Sequence, residues 1–479
     1  MNKLSRYSLT QVQELLERGK VTSEELTLAC LEEIENSKDL NALISVDADY
    51  ALAEAKKADE RRKNGEKLPL LGVPIIIKDN ISTEHFKTTC ASKFLKNYVA
   101  PYEATVVKKL REAGAVIIAK ANMDEFAMGA SGENSAFGAT LNPIDKKRVA
   151  GGSSSGSASS VSAYQAFASL GTDTGGSIRQ PAGFCGVVGM KPTYGRVSRY
   201  GVVAFASSLD QVGPITRTVE DNAKVLEIIS GRDEMDATSA SIPVENYSSY
   251  VSKPIKGIKI GVAKEYFAMD ASPEVRKEIE RTIEFYRENG AEIVNVSLTN
   301  ISKALAVYYI LSSAEAASNL SRFDGVKYGE RGEGYEGVVD LYYKSRTQGF
   351  GAEVKRRIMT GNYTLSAGYY DAYYKKASDV REVLKREFAE VFKKCDAIIS
   401  PVSPTTAFKI GEKKTPLENY LADIYTVPVN IVGVPAISFP VGKDKDGLPI
   451  ACQLIANHFN EKILYSLAGA FERIHGGVR

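Results

Sequence analysis

The stretch GVPIIIK, residues 72–78, indicates the fold class of this chain. Its apolar and β-branched run is typical of a strand that is buried on both faces of a sheet. A helical pattern follows over Thr105–Ala113 and stops at Gly114, and a second buried strand, AVIIA, follows at residues 115–119. Because buried strands here alternate with helices, the sequence predicts an α/β fold.

The same alternation extends over most of the chain. Ser8 with Gln11, and Thr22 with Glu25, form capping-box patterns that predict two helices before the first buried strand. After residue 213, helices are predicted at 217–230, 273–289 and 463–474, and strands at 258–263, 292–296, 397–400, 436–441 and 452–455. One large α/β body is the simplest interpretation. The alternative is that residues 230–400 form a lobe of their own.

Composition excludes several classes of protein. The 479 residues are 44% hydrophobic and 25% charged, as in globular proteins, and 61 basic against 59 acidic residues leave a net charge of +2. This near-neutral balance argues against a nucleic-acid coat or a polybasic membrane anchor. No signal-like segment and no run of 18 apolar residues occurs, so we expect a cytoplasmic protein without a membrane span. Five scattered cysteines without a CxxC pair favour free thiols in a reducing compartment.

Glycine and serine crowd together between residues 129 and 213, and two elements there are candidates for chemistry. They are AGGSSSGS at residues 150–157 and TDTGGSIRQPA at residues 172–182. Neither carries the lysine of a phosphate-binding loop, and no dinucleotide or metal motif occurs, so no cofactor or metal is predicted for this chain. Glycines beside a serine let backbone N–H groups approach a substrate carbonyl. Candidate oxyanion-hole donors are therefore the N–H groups of Thr174, Gly175, Gly176 and Ser177. The alternative is a glycine-rich turn that binds an anion without catalysis.

A nucleophilic serine needs a base, and Lys78 is a better candidate than any histidine. The three histidines are His85, His458 and His475, and none is well placed in the sequence. Lys78 ends a buried strand, where α/β active sites form, and burial disfavours the charged ammonium. The neighbouring Asp79 and Asn80 could orient it, and the alternative is a lysine that reaches solvent. A cysteine nucleophile is disfavoured, because the apolar surroundings of Cys185 would raise its pKa.

Together these elements resemble the amidase signature family. The matching stretches are GVPIIIKDN around Lys78, GGSSSGS, TDTGGSIRQPA and KPTYGRVS from Lys191. Their spacing also matches, with 75 residues from Lys78 to Ser153 and 24 more to Ser177. The resemblance implies a single amidase-signature domain over residues 1–479, with a mixed central sheet flanked by helices on both faces.

The resemblance also implies a Ser–Ser–Lys triad. Ser177 would be the nucleophile, Ser153 a bridging serine at a cis peptide, and Lys78 the base, while Asp173 and Arg179 would brace the catalytic turn. The spacing favours Ser153 over the adjacent Ser154 as the bridge. Ser155 stands where the family commonly has glycine, and a positive φ there would cost about 1 kcal/mol.

Within the family, three further stretches resemble the A subunits of the glutamyl-tRNA(Gln) and aspartyl-tRNA(Asn) amidotransferases: residues 312–331, 353–377 and 421–438. That branch implies glutamine hydrolysis, with Arg357 on the substrate carboxylate, Asp423 on its ammonium and Tyr308 in the same pocket. Arg356 remains an alternative to Arg357.

The same branch implies how the work is divided between subunits. B and C subunits would be partners, the partner subunit would use ATP and Mg, and misacylated tRNA would bind mainly through that partner. The chain would comprise an N-terminal helical segment at about 1–65, a Gly/Ser-rich catalytic core at about 70–215 and a helical substrate-pocket part at about 300–440.

Two other functions compete with this one. A stand-alone amidase for small acyl or aryl amides would share the triad but have an apolar pocket. A non-catalytic scaffold with a decayed site is the other, and the intact Lys78, Ser153 and Ser177 argue against it.

Overall fold

The computed structural model of the protein describes residues 3–413 and 415–476, and its described part is built on one sheet of eleven strands. The strands are β1 (Leu43–Val46), β2 (Pro74–Lys78), β3 (Val116–Ala121), β4 (Ala168–Asp173), β5 (Val188–Lys191), β6 (Gln211–Thr216), β7 (Lys259–Ala263), β8 (Glu292–Val296), β9 (Ala397–Pro401), β10 (Ala436–Lys443) and β11 (Pro449–Ala456).

Sixteen α-helices in the same described ranges surround this sheet. They are α1 (Leu9–Glu17), α2 (Ser23–Asn36), α3 (Ala48–Lys63), α4 (Thr105–Glu112), α5 (Ser155–Ser162), α6 (Arg179–Phe184), α7 (Val219–Ile229), α8 (Lys264–Ala268), α9 (Pro273–Glu288), α10 (Ala304–Leu320), α11 (Gly337–Gly349), α12 (Ala352–Leu365), α13 (Lys376–Val391), α14 (Pro416–Leu421), α15 (Val427–Val432) and α16 (Glu461–His475). No described helix combines the length and the apolar composition that a membrane crossing requires.

The strand order is β1-β3-β2-β4-β6-β5-β10-β11-β9-β7-β8. β2 runs parallel to β3 and β4, whereas β6 is antiparallel to both β4 and β5, so the sheet is mixed as predicted. The parallel pairing of β2 and β4 places their carboxyl ends, Lys78 and Asp173, at the same edge of the sheet. The predicted alternative of a lobe over residues 230–400 is not supported by a separate sheet, since β7, β8 and β9 join the common one.

Helices cover both faces of the sheet, which confirms the prediction from the alternating pattern. Ile399 and Ile437 pack into one hydrophobic cluster with α1, α2, α4, α7, α9 and α16. Their strand neighbours Ile398 and Ala436 pack into a second cluster with α10, α12, α13 and α15. Because successive side chains of a strand point to opposite faces, the two clusters lie on opposite sides of the sheet.

The Gly/Ser-rich region is more regular than its sequence suggests. The sequence shows no periodicity there, yet the structure contains α5, β4, α6, β5 and β6. An amphipathic pattern is absent because these elements are buried almost entirely, so no face needs polar residues. Small side chains allow the close packing, since a Cβ on Gly156 in α5 would collide with the Ala42 carbonyl and Asn122.

Candidate active site

Lys78 is completely buried, and its amine lies among three hydroxyl groups. Its Nζ is 2.8 Å from Ser153 Oγ, 2.9 Å from Ser154 Oγ and 2.8 Å from Thr172 Oγ1. Burial lowers the pKa of Lys78 to about 7, against the opposing negative charges of Asp124, Asp173 and Asp210. A substantial fraction of this amine is therefore neutral, and able to accept a proton, near neutral pH.

Ser153 is held in place by its backbone. The Gly152–Ser153 peptide is cis, and the Ser153 carbonyl accepts a hydrogen bond of 3.2 Å from the Asp124 N–H. The Asp124 carboxylate in turn accepts hydrogen bonds from the N–H groups of Gly132 and Asn134, each at 3.0 Å. A Cβ on Gly152 would collide with that carboxylate, so glycine is required at this position.

Ser154 and Ser155 behave differently from Ser153. The Ser154 hydroxyl can donate to the Thr172 carbonyl, which is 3.1 Å from Ser154 Oγ. Ser154 Oγ also accepts a hydrogen bond of 3.3 Å from the Thr172 N–H. Ser155 begins α5 and does not have a positive φ. The replacement of glycine by Ser155 therefore carries none of the strain that a left-handed conformation would have imposed.

Ser177 lies in a tight turn between β4 and α6 and is 7% exposed. The Ser154 N–H donates to the Ser177 carbonyl at 3.1 Å, which keeps the two serine-containing segments adjacent. Within the described residues, the Ser177 hydroxyl makes no hydrogen bond. This hydroxyl is therefore free to reorient.

Arg179 and Asp173 brace this turn from below. The guanidinium of Arg179 donates to both carboxylate oxygens of Asp173, at 3.0 and 3.1 Å, and both side chains are completely buried. Burial by itself would raise the pKa of Asp173, but the charge and hydrogen bonds of Arg179 outweigh it and hold the pKa at about 2. Arg179 also donates to Thr426, Asn430 and Gln453.

The backbone donors of the turn are not all available to a substrate. The Gly176 N–H donates to Asp173 Oδ1 at 2.9 Å, so Gly176 does not offer the free donor that the sequence predicted. The N–H groups of Thr174, Gly175 and Ser177 have no partner among the described residues. A Cβ on Gly175 would lie 2.6 Å from the Tyr308 ring, so the glycine allows the tyrosine to approach the turn.

Arg357, Asp423 and Tyr308 are all buried and retain unused hydrogen-bonding capacity. Among the described residues, Arg357 Nη1 has no hydrogen-bond partner. The Asp423 carboxylate and the Tyr308 hydroxyl make no hydrogen bond with these residues either. Burial raises the pKa of Asp423 well above its ordinary value, although the charge of Arg357 opposes the effect. Buried polar groups without partners indicate a site for a polar ligand.

Arg357 is held rigidly, whereas Arg356 is not. Arg357 Nε donates to Glu353 at 2.7 Å, and its guanidinium lies over the rings of Tyr309 and Tyr420, 4.5 and 4.8 Å from their centroids. Arg356 also pairs with Glu353, but its side chain is 46% exposed. The structure thus places Arg357, and not Arg356, among the buried groups.

A cavity of about 190 Å³ leads from the surface to Arg357. Its lining includes both Arg356 and Arg357, together with Asn134, Tyr309, Asn419, Tyr420 and the segment 129–131. A larger cavity, of about 700 Å³, lies between α1 and the end of α3, away from every residue described above. The smaller cavity reaches Arg357, whereas the lining of the larger one includes none of the candidate site residues.

Other candidate chemistries find no support in the described residues. His85 is on the surface with Asp47, and burial raises the pKa of Cys185, which keeps the thiol protonated. All five cysteines are free and buried. No group of three or more His, Cys, Asp or Glu side chains in the described part could hold a metal ion.

Comparisons with known proteins identify the family of the chain. A family model described as Amidase matches residues 25–464. The chain belongs to the amidase family. Among amidases of known structure, the A subunit of the glutamyl-tRNA(Gln) amidotransferase of Thermotoga maritima superposes with a TM-score of 0.82 and 43% identity, covering 99% of this chain and 96% of the other. The native peptide amidase of Stenotrophomonas maltophilia superposes with a TM-score of 0.84 and 30% sequence identity, covering 98% of this chain and 97% of the other.

Curated relatives are more similar in sequence. The A subunit of the glutamyl-tRNA(Gln) amidotransferase of Caldanaerobacter subterraneus subsp. tengcongensis is 55% identical, covering 98% of this chain and 97% of the relative. The protein of the same name from Geobacter metallireducens is 51% identical, covering 97% of this chain and 96% of the relative. The similarity to this amidase branch therefore extends over nearly the whole chain.

Several residues of this amidase site were not identified from the sequence. Thr172, Asp124 and Asp210 surround Lys78 or the catalytic turn, and Tyr309 and Glu353 hold Arg357. Asp210 accepts a hydrogen bond of 2.6 Å from Thr174, and burial raises its pKa to about 6. Thr172 could have been identified from the sequence as a polar residue near the end of a buried strand.

Proposed function

We propose that this chain is the glutamine-hydrolysing A subunit of a tRNA-dependent amidotransferase. The observation that carries the proposal is the buried Lys78 amine, 2.8 Å from Ser153 and with a pKa of about 7, next to a segment whose Ser177 carbonyl accepts from the Ser154 N–H. The names of the relatives support the choice of substrate, and so does a buried pocket that carries one guanidinium and one carboxylate. A free amino acid has one charge of each sign to match them.

The mechanism follows from the donors and acceptors around Lys78. A neutral amine has two N–H bonds and one lone pair. The Ser154 hydroxyl donates a hydrogen bond to the Thr172 carbonyl. The Ser154 oxygen can therefore accept a hydrogen bond from one N–H of Lys78. Thr172 Oγ1 accepts the other and is itself held by Asn80 at 3.1 Å. The lone pair is then directed at Ser153.

The hydrolysis proceeds in two steps. Ser177 Oγ attacks the side-chain carbonyl of glutamine, and its proton passes through Ser153 to Lys78. The free N–H groups of Gly175 and Ser177 stabilise the tetrahedral oxyanion. When the C–N bond breaks, the proton returns along the same relay to the departing ammonia. Water then hydrolyses the glutamyl ester by the same relay, which restores Ser177 and releases glutamate.

Arg357 and Asp423 hold the two ends of the substrate. The α-carboxylate pairs with Arg357, whose Nη1 gains the partner that it lacks, and the α-ammonium pairs with Asp423. Tyr308 lies between this pocket and Gly175, and burial raises the pKa of its hydroxyl, which stays protonated as a donor. Binding an ammonium lowers the pKa of Asp423 toward its ordinary value and so favours the ion pair.

The remaining assignments follow from the same proposal. The chain acts in the cytoplasm without a cofactor, and B and C subunits are its partners. The partner subunit uses ATP and Mg, holds the misacylated tRNA and consumes the ammonia to convert Glu-tRNA(Gln) to Gln-tRNA(Gln). We assign one domain over residues 1–479, of which 1–2, 414 and 477–479 lie outside the described residues. Within it we assign a helical segment at about 1–65, a catalytic core at about 70–215 and a substrate-pocket part at about 300–440.

The test compares glutamine with a simple aromatic amide as substrates for the wild type and for Ser177→Ala. We expect glutamine to be the better substrate and Ser177→Ala to lose roughly a thousandfold or more of the activity. Ser162→Ala is the matched control, because Ser162 ends α5 and donates only to the Cys185 carbonyl. Retained turnover in Ser177→Ala would refute the role of Ser177, and preference for the aromatic amide would favour a stand-alone amidase.

A further inference from the structure

Glu125 is a buried carboxylate that the proposed chemistry does not use. It lies in a turn after β3 and is 3% exposed. One oxygen accepts a hydrogen bond from the Ser92 hydroxyl, and the other accepts from the Gly351 N–H at 2.8 Å. A Cβ on Gly351 would collide with the second oxygen, so the contact requires glycine.

The contact with Gly351 caps the helix that carries Arg357. Gly351 is the N-cap of α12 and has no side chain with which to cap it. The carboxylate of Glu125, from a distant part of the chain, instead accepts from the N–H of this N-cap residue, at the positive end of the helix dipole. The Ser92 hydroxyl also lies 3.3 Å from the Gly349 carbonyl, so the approach to α12 is fixed at two points.

The other neighbours of Glu125 belong to the catalytic segments. Asp124, adjacent in sequence, donates its N–H to the Ser153 carbonyl. The loop that contains Ser92 is held by Asp79, the residue after Lys78, which accepts hydrogen bonds of 3.0 and 3.2 Å from the N–H groups of Thr89 and Ala91. Glu125 therefore stands where the Lys78, Ser153 and Arg357 segments meet.

The turn itself is conformationally specialised. Phe126 and Ala127 have φ values of 49° and 62°, a region that residues with a Cβ seldom adopt. Such backbone persists only where the surroundings fix it. Here the Phe126 ring packs against Phe323 and Phe350, with centroids 5.1 and 5.6 Å away, and Phe350 immediately precedes Gly351. The turn and the start of α12 are thus packed as one unit.

We propose that Glu125 is a positioning residue for amide hydrolysis, whose carboxylate fixes α12, and with it Arg357, relative to the segments that carry Lys78 and Ser153. This inference rests on the proposed function, because it assigns Arg357 to the substrate carboxylate. Loss of the carboxylate weakens substrate binding at Arg357 and leaves the chemical step at Ser177 nearly unchanged.

The positioning role of Glu125 depends on its ionised carboxylate, so substrate binding should depend on pH. Burial raises the pKa of Glu125 to about 7, opposed by the hydrogen bonds from Ser92 and Gly351 and by the charges of Lys355 and Lys93. The Cys90 thiol also faces it, and burial raises the pKa of Cys90 so that it stays neutral. The carboxylate predominates above pH 7, and the protonated acid, a weaker acceptor, predominates below it. Substrate affinity therefore falls as the pH falls from 8 to 6.

The experiment compares Glu125→Gln with the wild type, each purified with its partner subunits. We expect the KM for glutamine to rise about tenfold at pH 8, the loss typical of a charge-assisted hydrogen bond, with kcat changed less than threefold. Asp59→Asn is the matched control, because Asp59 is also a carboxylate at a helix N-terminus, where it accepts hydrogen bonds of 2.8 and 3.1 Å from the N–H groups of Ser23 and Glu24 in α2, and it takes no part in the site. It should lower the melting temperature and leave KM unchanged.

The pH signature is measured by calorimetry of glutamine binding in the Ser177→Ala background, with and without Glu125→Gln. The ratio of the two Kd values should be about ten at pH 8 and approach one at pH 6. An equal KM in Glu125→Gln and wild type, or a ratio independent of pH, would overturn the inference. If Glu125→Gln does not fold, Gly351→Ala displaces the same carboxylate and must raise KM instead. A wild type that hydrolyses an aromatic amide but not glutamine refutes the proposed function, and this inference with it.

Discussion

The lowered pKa of Lys78 predicts the pH dependence of the reaction. The amine must be neutral to accept a proton, and burial lowers its pKa to about 7. About 9% of the amine is neutral at pH 6 and about 91% at pH 8, so the activation of Ser177 should rise about tenfold between them and then level off. With an ordinary lysine pKa of 10.5, only about 0.3% would be neutral at pH 8 and the rise would continue beyond pH 9.

Two assays together isolate this effect. Glutamate release measures the complete reaction, which also includes substrate binding. The rate at which a fluorophosphonate labels Ser177 reports activation of the nucleophile alone, because the probe has no α-carboxylate for Arg357 to bind. We expect the labelling rate to break near pH 7, with a slope of one below the break. Lys78→Arg should abolish labelling, since a guanidinium does not lose its proton in this range.

Lys191 provides the control for the pH profile. Lys191 is another buried lysine, and burial lowers its pKa to about 7 as well. Its amine donates to the Pro192 carbonyl instead of to a serine. Lys191→Met should therefore keep the break near pH 7. A wild-type profile without a break between pH 6 and 8, or a break that persists in Lys78→Arg, would refute the assignment of Lys78 as the base.

Three further predictions concern the pocket and the turn. Arg357→Ala should raise the KM for glutamine about a hundredfold, whereas the exposed Arg356→Ala should leave it unchanged, as steady-state kinetics will show. Asp423→Asn should weaken glutamine binding about tenfold or more but leave binding of an analogue without the α-ammonium unaffected, in a calorimetric comparison. Arg179→Met should reduce the free energy of unfolding by about 3–5 kcal/mol, because it leaves Asp173 buried without its partner, and urea denaturation will measure the loss.

The sequence was sufficient for the fold class and for most strands. Runs such as residues 72–78 are apolar because both of their faces are covered, and glycines mark where elements end. The strand order was not predictable in the same way, since β2 and β4 pair although about 90 residues separate them. That pairing brings Thr172 to Lys78, and the pairing of β2 with β3 brings the segment that contains Asp124, so both residues were found only in the structure.

The pocket shows a second limit of sequence reasoning. Arg356 and Arg357 are adjacent and chemically identical, and only the orientation of α12 determines which side chain faces inward. Successive residues of a helix point about 100° apart, so the choice depends on how the helix packs. The engaged N–H of Gly176 is a similar case, because its direction follows from the geometry of the turn around Asp173.

The contacts of Arg179 bear on when the enzyme becomes active during its synthesis. Lys78, Ser153 and Ser177 all lie in the first 180 residues, but Arg179 finds its acceptors at Thr426, Asn430 and Gln453. A nascent chain on the ribosome therefore carries every proposed catalytic side chain, and the Asp173 partner of Arg179, long before these three acceptors are synthesised. We expect full support of the turn, and with it full activity, only once the last of these acceptors has been synthesised.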